Sequence, residues 1–275
     1  MSTATVTRPA GATPPTGATS PPRPLGVVRL SLVHAKFNIL ETVRVPISVI
    51  GNLLFPTLAL FFFVIPQPMV TADPIWSLVA VSGLAMFAVM STFLFTFGVG
   101  VAEDRALPFD PYLRTMPAGA APRMMGRIIT ACLFALVALV PIGVVTAIFT
   151  AAAPSPWQLV AGVLTLIGAG IPFLMLGLFV GYRLSSKAAL AVVQVILFPL
   201  AFAGGLFLPA EMFPDWLSTA STFLPSRAAR DLVIANITGE PVAYGYALPV
   251  LLAWGVLFTA VAVWAYRRDE GRRFR

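Results

Sequence analysis

Six long apolar stretches, separated by polar connections, dominate the pattern along this chain. They cover residues 45–65, 75–101, 128–151, 158–182, 188–207 and 247–266. A bilayer's hydrocarbon core, roughly 30 Å thick, takes about 20 helical residues to cross, and each stretch meets that length. The pattern predicts an all-α integral membrane protein with six transmembrane helices. Ahead of the first stretch, Leu25, Val28, Leu32, Ile39 and Val43 recur at helical spacing, with Ser31, His34, Asn38 and Glu41 opposite them. Arg29 and Lys36 flank the apolar stripe, where their stems can snorkel toward lipid headgroups. This reads as an N-terminal amphipathic interfacial helix lying on the membrane surface.

The connection between the fifth and sixth stretches is long and keeps an apolar character, with Phe213, Trp216, Leu217, Phe223, Leu232 and Val233. Asp215 after Pro214 and Ser226 after Pro225 stand where they would cap short helices, and Gly239 where it would stop the second. The expectation is a pair of short outer helices that dip partway into the membrane or pack over its outer mouth.

Composition supports a single membrane domain. The chain is 58% hydrophobic and only 11% charged, against about 25% charged in soluble domains. Residues 1–24 are rich in Pro, Thr, Ala and Gly and have no apolar core of a signal peptide. They read as a disordered cytoplasmic tail, because such a segment buries too little surface to offset the entropy of ordering. The membrane domain is then 25–270, and 271–275 form a basic end.

Charge orients the chain. Of its 18 Lys and Arg residues, all but Arg227 and Arg230 fall on one side of the predicted membrane. Positive flanks stay cytoplasmic, so both termini are expected in the cytoplasm. The same flanks account for the net charge of +7, and no separate basic domain is left to hold nucleic acid.

Much chemistry is excluded. The only lysines, Lys36 and Lys187, follow no phosphate-cradling glycine loop, so the chain alone is not a P-loop ATPase. One histidine, His34, and one cysteine, Cys132, provide neither a zinc cluster nor a serine–histidine pair within the membrane. None of the acidic residues lies well inside a stretch, which counts against an ion-coupled carrier. Asn52, Thr57, Ser91, Thr92, Thr96 and Gln194 suit hydrogen bonds between helices, and Gly98 and Gly100 suit close helix packing.

Two stretches resemble a known family. The first, Ala102-Glu-Asp-Arg-Ala-Leu-Pro-Phe-Asp-Pro-Tyr-Leu-Arg-Thr-Met-Pro-Ala-Gly119, is similar to the cytoplasmic loop of type-2 ATP-binding-cassette exporter permeases. Glu103, Leu113, Arg114 and Pro117 match that loop's pattern, while Pro108 and Asp110 stand where its Gly-Thr-Leu core often does. The second, Gly204 to Leu217 followed by Phe223-Leu-Pro225, is similar to the family's G-x-x-x-P-x-x-x-x-P-x-W-L…P signature at the outer end of span five. Within the family the chain looks most like bacterial small-molecule or multidrug exporters.

The resemblance implies a permease subunit in the bacterial cytoplasmic membrane, in contact with lipid, that pairs with a second permease, identical or not. It implies a separate cytoplasmic P-loop ATPase that uses ATP and Mg, with no cofactor held by this chain. It assigns coupling to the ATPase to Glu103, Asp104, Arg105, Leu113, Arg114 and Pro117. It places Phe95, Thr96, Gln194 and Phe198 along a pathway between spans two and five, whose aromatic, uncharged lining suits an apolar or amphipathic compound such as a drug, antibiotic or lipid. A membrane-embedded enzyme and a non-transporting scaffold remain as alternatives.

Overall fold

A computed structural model describes residues 26–44, 54–108, 121–239 and 244–273. Among these residues every regular element is helical. In chain order they are α1 (Val27–Val43), α2 (Leu54–Val64), α3 (Pro68–Thr71), α4 (Pro74–Ala106), α5 (Ala121–Phe149), α6 (Pro156–Arg183), α7 (Ser186–Ala203), α8 (Asp215–Ser221), α9 (Pro225–Thr238) and α10 (Tyr244–Arg273). Five of them, α4, α5, α6, α7 and α10, are long and apolar enough to cross a membrane. The first predicted stretch is represented by α2, which is shorter than a span; residues 45–53 lie outside the described residues.

Helix starts follow from local chemistry. Asp73 accepts from the Ile75 and Trp76 amides at the head of α4, where Pro74 has no N–H to leave unpaired. Ser155 and Gln158 form a reciprocal capping box at the head of α6. Trp76, Trp157 and Trp216 stand exposed in the first turns of α4, α6 and α8. At the opposite end of the bundle, Trp264 lies beneath Arg183 and Arg268, 4.8 and 5.6 Å from its ring centre. Aromatic rings at both ends of apolar helices match the two water–lipid interfaces.

The core sits around α4, whose most apolar window is 72% buried, against 22% for α7 and α10. Glycines let α6 reach it. A Cβ on Gly181 would come within 2.5 Å of the Phe97 carbonyl, and one on Gly177 within 3.1 Å of the Gly98 amide. Gly98 in turn leaves room for Val193 of α7, 2.7 Å from where its Cβ would stand. The close-packing reading of this glycine pair is borne out at Gly98. Gly100 instead makes space for the Arg127 guanidinium, 3.1 Å away.

α1 packs along α5 through small and polar residues and not through its large apolar ones. Ser31, His34 and Ala35 abut Gly126, and Thr130 donates to the Ala35 carbonyl. Val28, Leu32, Phe37 and Val43 are left exposed. The small and polar face binds protein while much of the apolar surface stays free.

The outer segment departs from expectation in three places. The fifth predicted stretch ran to residue 207, but α7 ends at Ala203 and the chain reverses at Gly204 and Gly205. A Cβ on Gly204 would meet the Ser226 hydroxyl at 2.2 Å, and Gly205 has φ of 74°, so this corner takes glycine twice. Phe207 then folds back, 4.8 Å from the Phe87 ring. Asp215 is not a side-chain cap; Pro214 holds the cap position and Asp215 is the first helical residue. Ser226 does not cap α9 either, because its hydroxyl donates to the Leu200 carbonyl of α7 at 2.6 Å. Gly239 does end α9, in the left-handed conformation at φ 84°.

α9 inserts among the long helices. Just before its N-terminus, the Phe223 carbonyl accepts from Trp254, 10 residues into α10 and so about 15 Å along that helix. Its C-terminal Ile237 carbonyl accepts from Gln158 in the first turn of α6. Most of its residues from Pro225 to Ala235 are buried.

Candidate functional site

A cleft of about 680 Å³ opens between α1, α2, α4, α5 and α7. All four residues expected along a pathway line it: Phe95 and Thr96 from α4, Gln194 and Phe198 from α7. One end is aromatic. The rings of Phe55, Phe87 and Phe198, from three different helices, stand 5.6, 6.1 and 6.4 Å apart in pairs. The other end carries Glu41, Glu103, Asp104 and Arg127. Phe87 and Glu103 are 16 positions apart, about 24 Å along a helix. One wall thus runs from an apolar end to a charged one.

The wall is irregular between those ends. Phe95–Val99 is a π-helical turn inside α4, a feature that widens a helix and often marks functional sites. Arg127 of α5 reaches that turn. Its Nη1 donates to the Thr96 carbonyl at 3.0 Å, and its Nη2 is ion-paired with Asp104. Both guanidinium ends are therefore engaged, and Glu103 beside them is exposed.

Arg105 does not face the cleft. Its Nη1 donates to the Gly181 carbonyl of α6 at 2.6 Å, and its Nη2 pairs with Asp269 of α10 at 2.5 Å. A helix's last carbonyls are unsatisfied acceptors carrying partial negative charge, so this arginine fastens the foot of α4 to two neighbouring helix ends. The three expected coupling residues of α4 thus have three different surroundings: Glu103 open, Asp104 bound to α5, Arg105 bound to α6 and α10. Leu113, Arg114 and Pro117 lie outside the described residues.

Sequence reasoning missed Glu41, Arg127 and Asp269 as site residues. Arg127 and Asp269 read as ordinary flanking charges, and nothing in their spacing ties them to α4. A second network was also missed. On α9, Arg230 is 2% exposed and Asp231 8%. Asp231 accepts from Arg227 at 2.6 Å, from Arg230 at 3.2 Å and from the Tyr246 hydroxyl of α10. The i, i+4 spacing of Arg227 and Asp231 was a legible signal for the first of these bonds.

Residues 32–238 match the family described as ABC-2 type transporter, which is most of the chain. The chain belongs to the ABC-2 type transporter family. It is also 24% identical over 224 residues to a protein of Bacillus subtilis (strain 168) named "Putative transport permease YvfS", covering 81% of this chain and 91% of that one. Membership makes this ABC-2 protein a multi-pass membrane permease, the transport subunit of an ABC transporter that works with an ATPase subunit. The match takes in α4, the cleft and the outer helix α9 together.

Proposed function

We propose that this chain is one permease of a pair in a bacterial exporter, moving a small amphipathic or apolar compound outward across the cytoplasmic membrane. In this reading the protein crosses the membrane six times, α2 being the outer part of the first span. α1 lies on the cytoplasmic surface and both termini are cytoplasmic. A cytoplasmic ATPase binds below, and the 102–119 segment carries its motion into α4. ATP drives the change by binding the inward- and outward-open states with different affinity.

The cleft carries the reading. It gathers Phe95, Thr96, Gln194 and Phe198 in one space that runs from the charged foot of α4 to an aromatic cluster. Concave sites lined by aromatic side chains with few polar groups suit small organic ligands. Gln194 stands exposed on a helix whose neighbouring exposed residues include Val195 and Phe198, and a bare amide facing lipid is costly.

The test is transport in inside-out vesicles holding the chain and its cognate ATPase. ATP-dependent uptake of an amphipathic dye is expected, with Gln194→Leu changing the ranking of dyes and a cysteine at position 194 crosslinking two permeases. Absence of uptake for every dye, together with no crosslink between subunits, would overturn the proposal.

A further inference from the structure

The cleft has a charge sign. Among the described residues, four ionisable side chains line it: Glu41, Glu103, Asp104 and Arg127. Arg127 is the only cation among them, and it is committed to Asp104 and to the Thr96 carbonyl. With that pair neutralised, the two carboxylates of Glu41 and Glu103 set the sign of the open end. They come from different helices, α1 and α4, and face one space. Neighbouring polar groups in the lining, Asn38, Thr42 and Thr96, are uncharged. A cleft lined by one sign of charge concentrates its field along the opening.

The rings of Phe55, Phe87 and Phe198 supply an apolar end for the uncharged body of a bound compound. An anionic compound would meet two carboxylates at the charged end, and among the described lining residues the one guanidinium, Arg127, is already engaged.

From this we infer that the cleft selects an amphipathic cation: a compound with an aromatic or aliphatic body and an ammonium or guanidinium group, its charge held near Glu41 and Glu103. The inference rests on reading the cleft as the substrate site of the transporter. It narrows the substrate class from apolar or amphipathic compounds in general to those carrying positive charge.

Three probes of one shape test it: a pyrenylbutyl trimethylammonium, the pyrenylbutyl alcohol and the pyrenylbutyl sulfonate. Binding of each to the full transporter in nanodiscs is measured without ATP, with empty nanodiscs subtracted. ATP-driven uptake into inside-out vesicles is measured alongside. The cation should bind tightest and the sulfonate weakest. In a Glu41→Gln/Glu103→Gln double variant, the cation should bind about tenfold more weakly, as expected for losing two nearby charges at intermediate dielectric. Binding of the neutral alcohol should be unchanged, which also reports that the variant is folded. Phe55→Leu should weaken the cation and the alcohol alike, because the ring end holds the body they share.

Equal binding of cation and sulfonate, preference for the sulfonate, or a double variant that binds the cation as well as the parent would each overturn the inference. If the alcohol is still pumped in those cases, the transport reading stands and only the charge selection falls. If none of the three binds or moves, both fall.

Discussion

Two charge networks sit at opposite ends of the bundle, and they are built differently. At the foot of α4, the ion pairs join separate helices: Arg105 to Asp269 of α10, and Asp104 to Arg127 of α5. The Asp104 side chain is 43% exposed. In the outer half, Arg227, Arg230 and Asp231 belong to one helix, and only Tyr246 reaches in from another among the contacts given above. That network is largely buried, as is the Arg105–Asp269 pair, so what separates the two places is whether the charges join different helices. The foot can rehydrate its charges if its helices part. The outer network cannot, because its charges share one rigid element and have apolar neighbours. The first arrangement suits a place where helices move relative to one another, the second a place where one helix must stay seated.

The largest expected effect is at the outer network. Asp231→Ala removes the carboxylate that Arg227 and buried Arg230 share, and losing one partner of a largely buried ion pair costs about 3–5 kcal/mol. Purified protein should melt much earlier or fail to accumulate, and a melting temperature within a degree or so of the parent would erase the contrast. Asp269→Ala comes next. It removes one partner of a largely buried pair while Arg105 keeps the Gly181 carbonyl, so a loss at the lower end of about 3–5 kcal/mol is expected. If Asp269→Ala destabilises as much as Asp231→Ala, the foot is as rigid as the outer helix and the comparison fails.

Tyr246→Phe removes one hydroxyl donor from Asp231 and leaves the two arginines in place. A loss of about 1 kcal/mol in thermal unfolding is expected. Smallest in stability is Asp104→Ala, at under about 1 kcal/mol, because an exposed pair is weakened by solvent screening. Its signature should lie elsewhere. Raising the salt concentration should abolish the difference between parent and Asp104→Ala, while the deficit of Asp231→Ala persists. ATP-driven transport by Asp104→Ala should fall further than its abundance does; transport that simply tracks abundance would remove Asp104 from the coupling path.

Much of the fold was legible because lipid imposes a simple code. Backbone groups in hydrocarbon must be satisfied within the segment, so length and apolarity alone mark helices. That logic placed α4, α5, α6 and α10 close to their observed bounds. It overran α7, since residues 204–207 are as apolar as the helix before them and only the glycine corner, packed against Ser226, turns the chain. The two capping assignments failed for a related reason. A local rule pairs Ser226 with its own helix, whereas the Leu200 carbonyl, 26 positions away in sequence, competed for the same hydroxyl and won.

The sequence by itself determined that this is a helical membrane protein of the ABC-2 type and which residue types could line its wall. Those properties follow from apolar length and local motif, which act over a few turns of chain. Tertiary structure decided the rest. It turned α1 so that Ser31 and Ala35 face α5, and brought Arg127 across 23 positions to Asp104. It gave Arg105 to α6 and α10, and closed Glu41 and Glu103 around one mouth. Side-chain partners chosen between helices depend on crossing geometry and on which glycines let backbones meet, and no window along the chain encodes that by spacing alone.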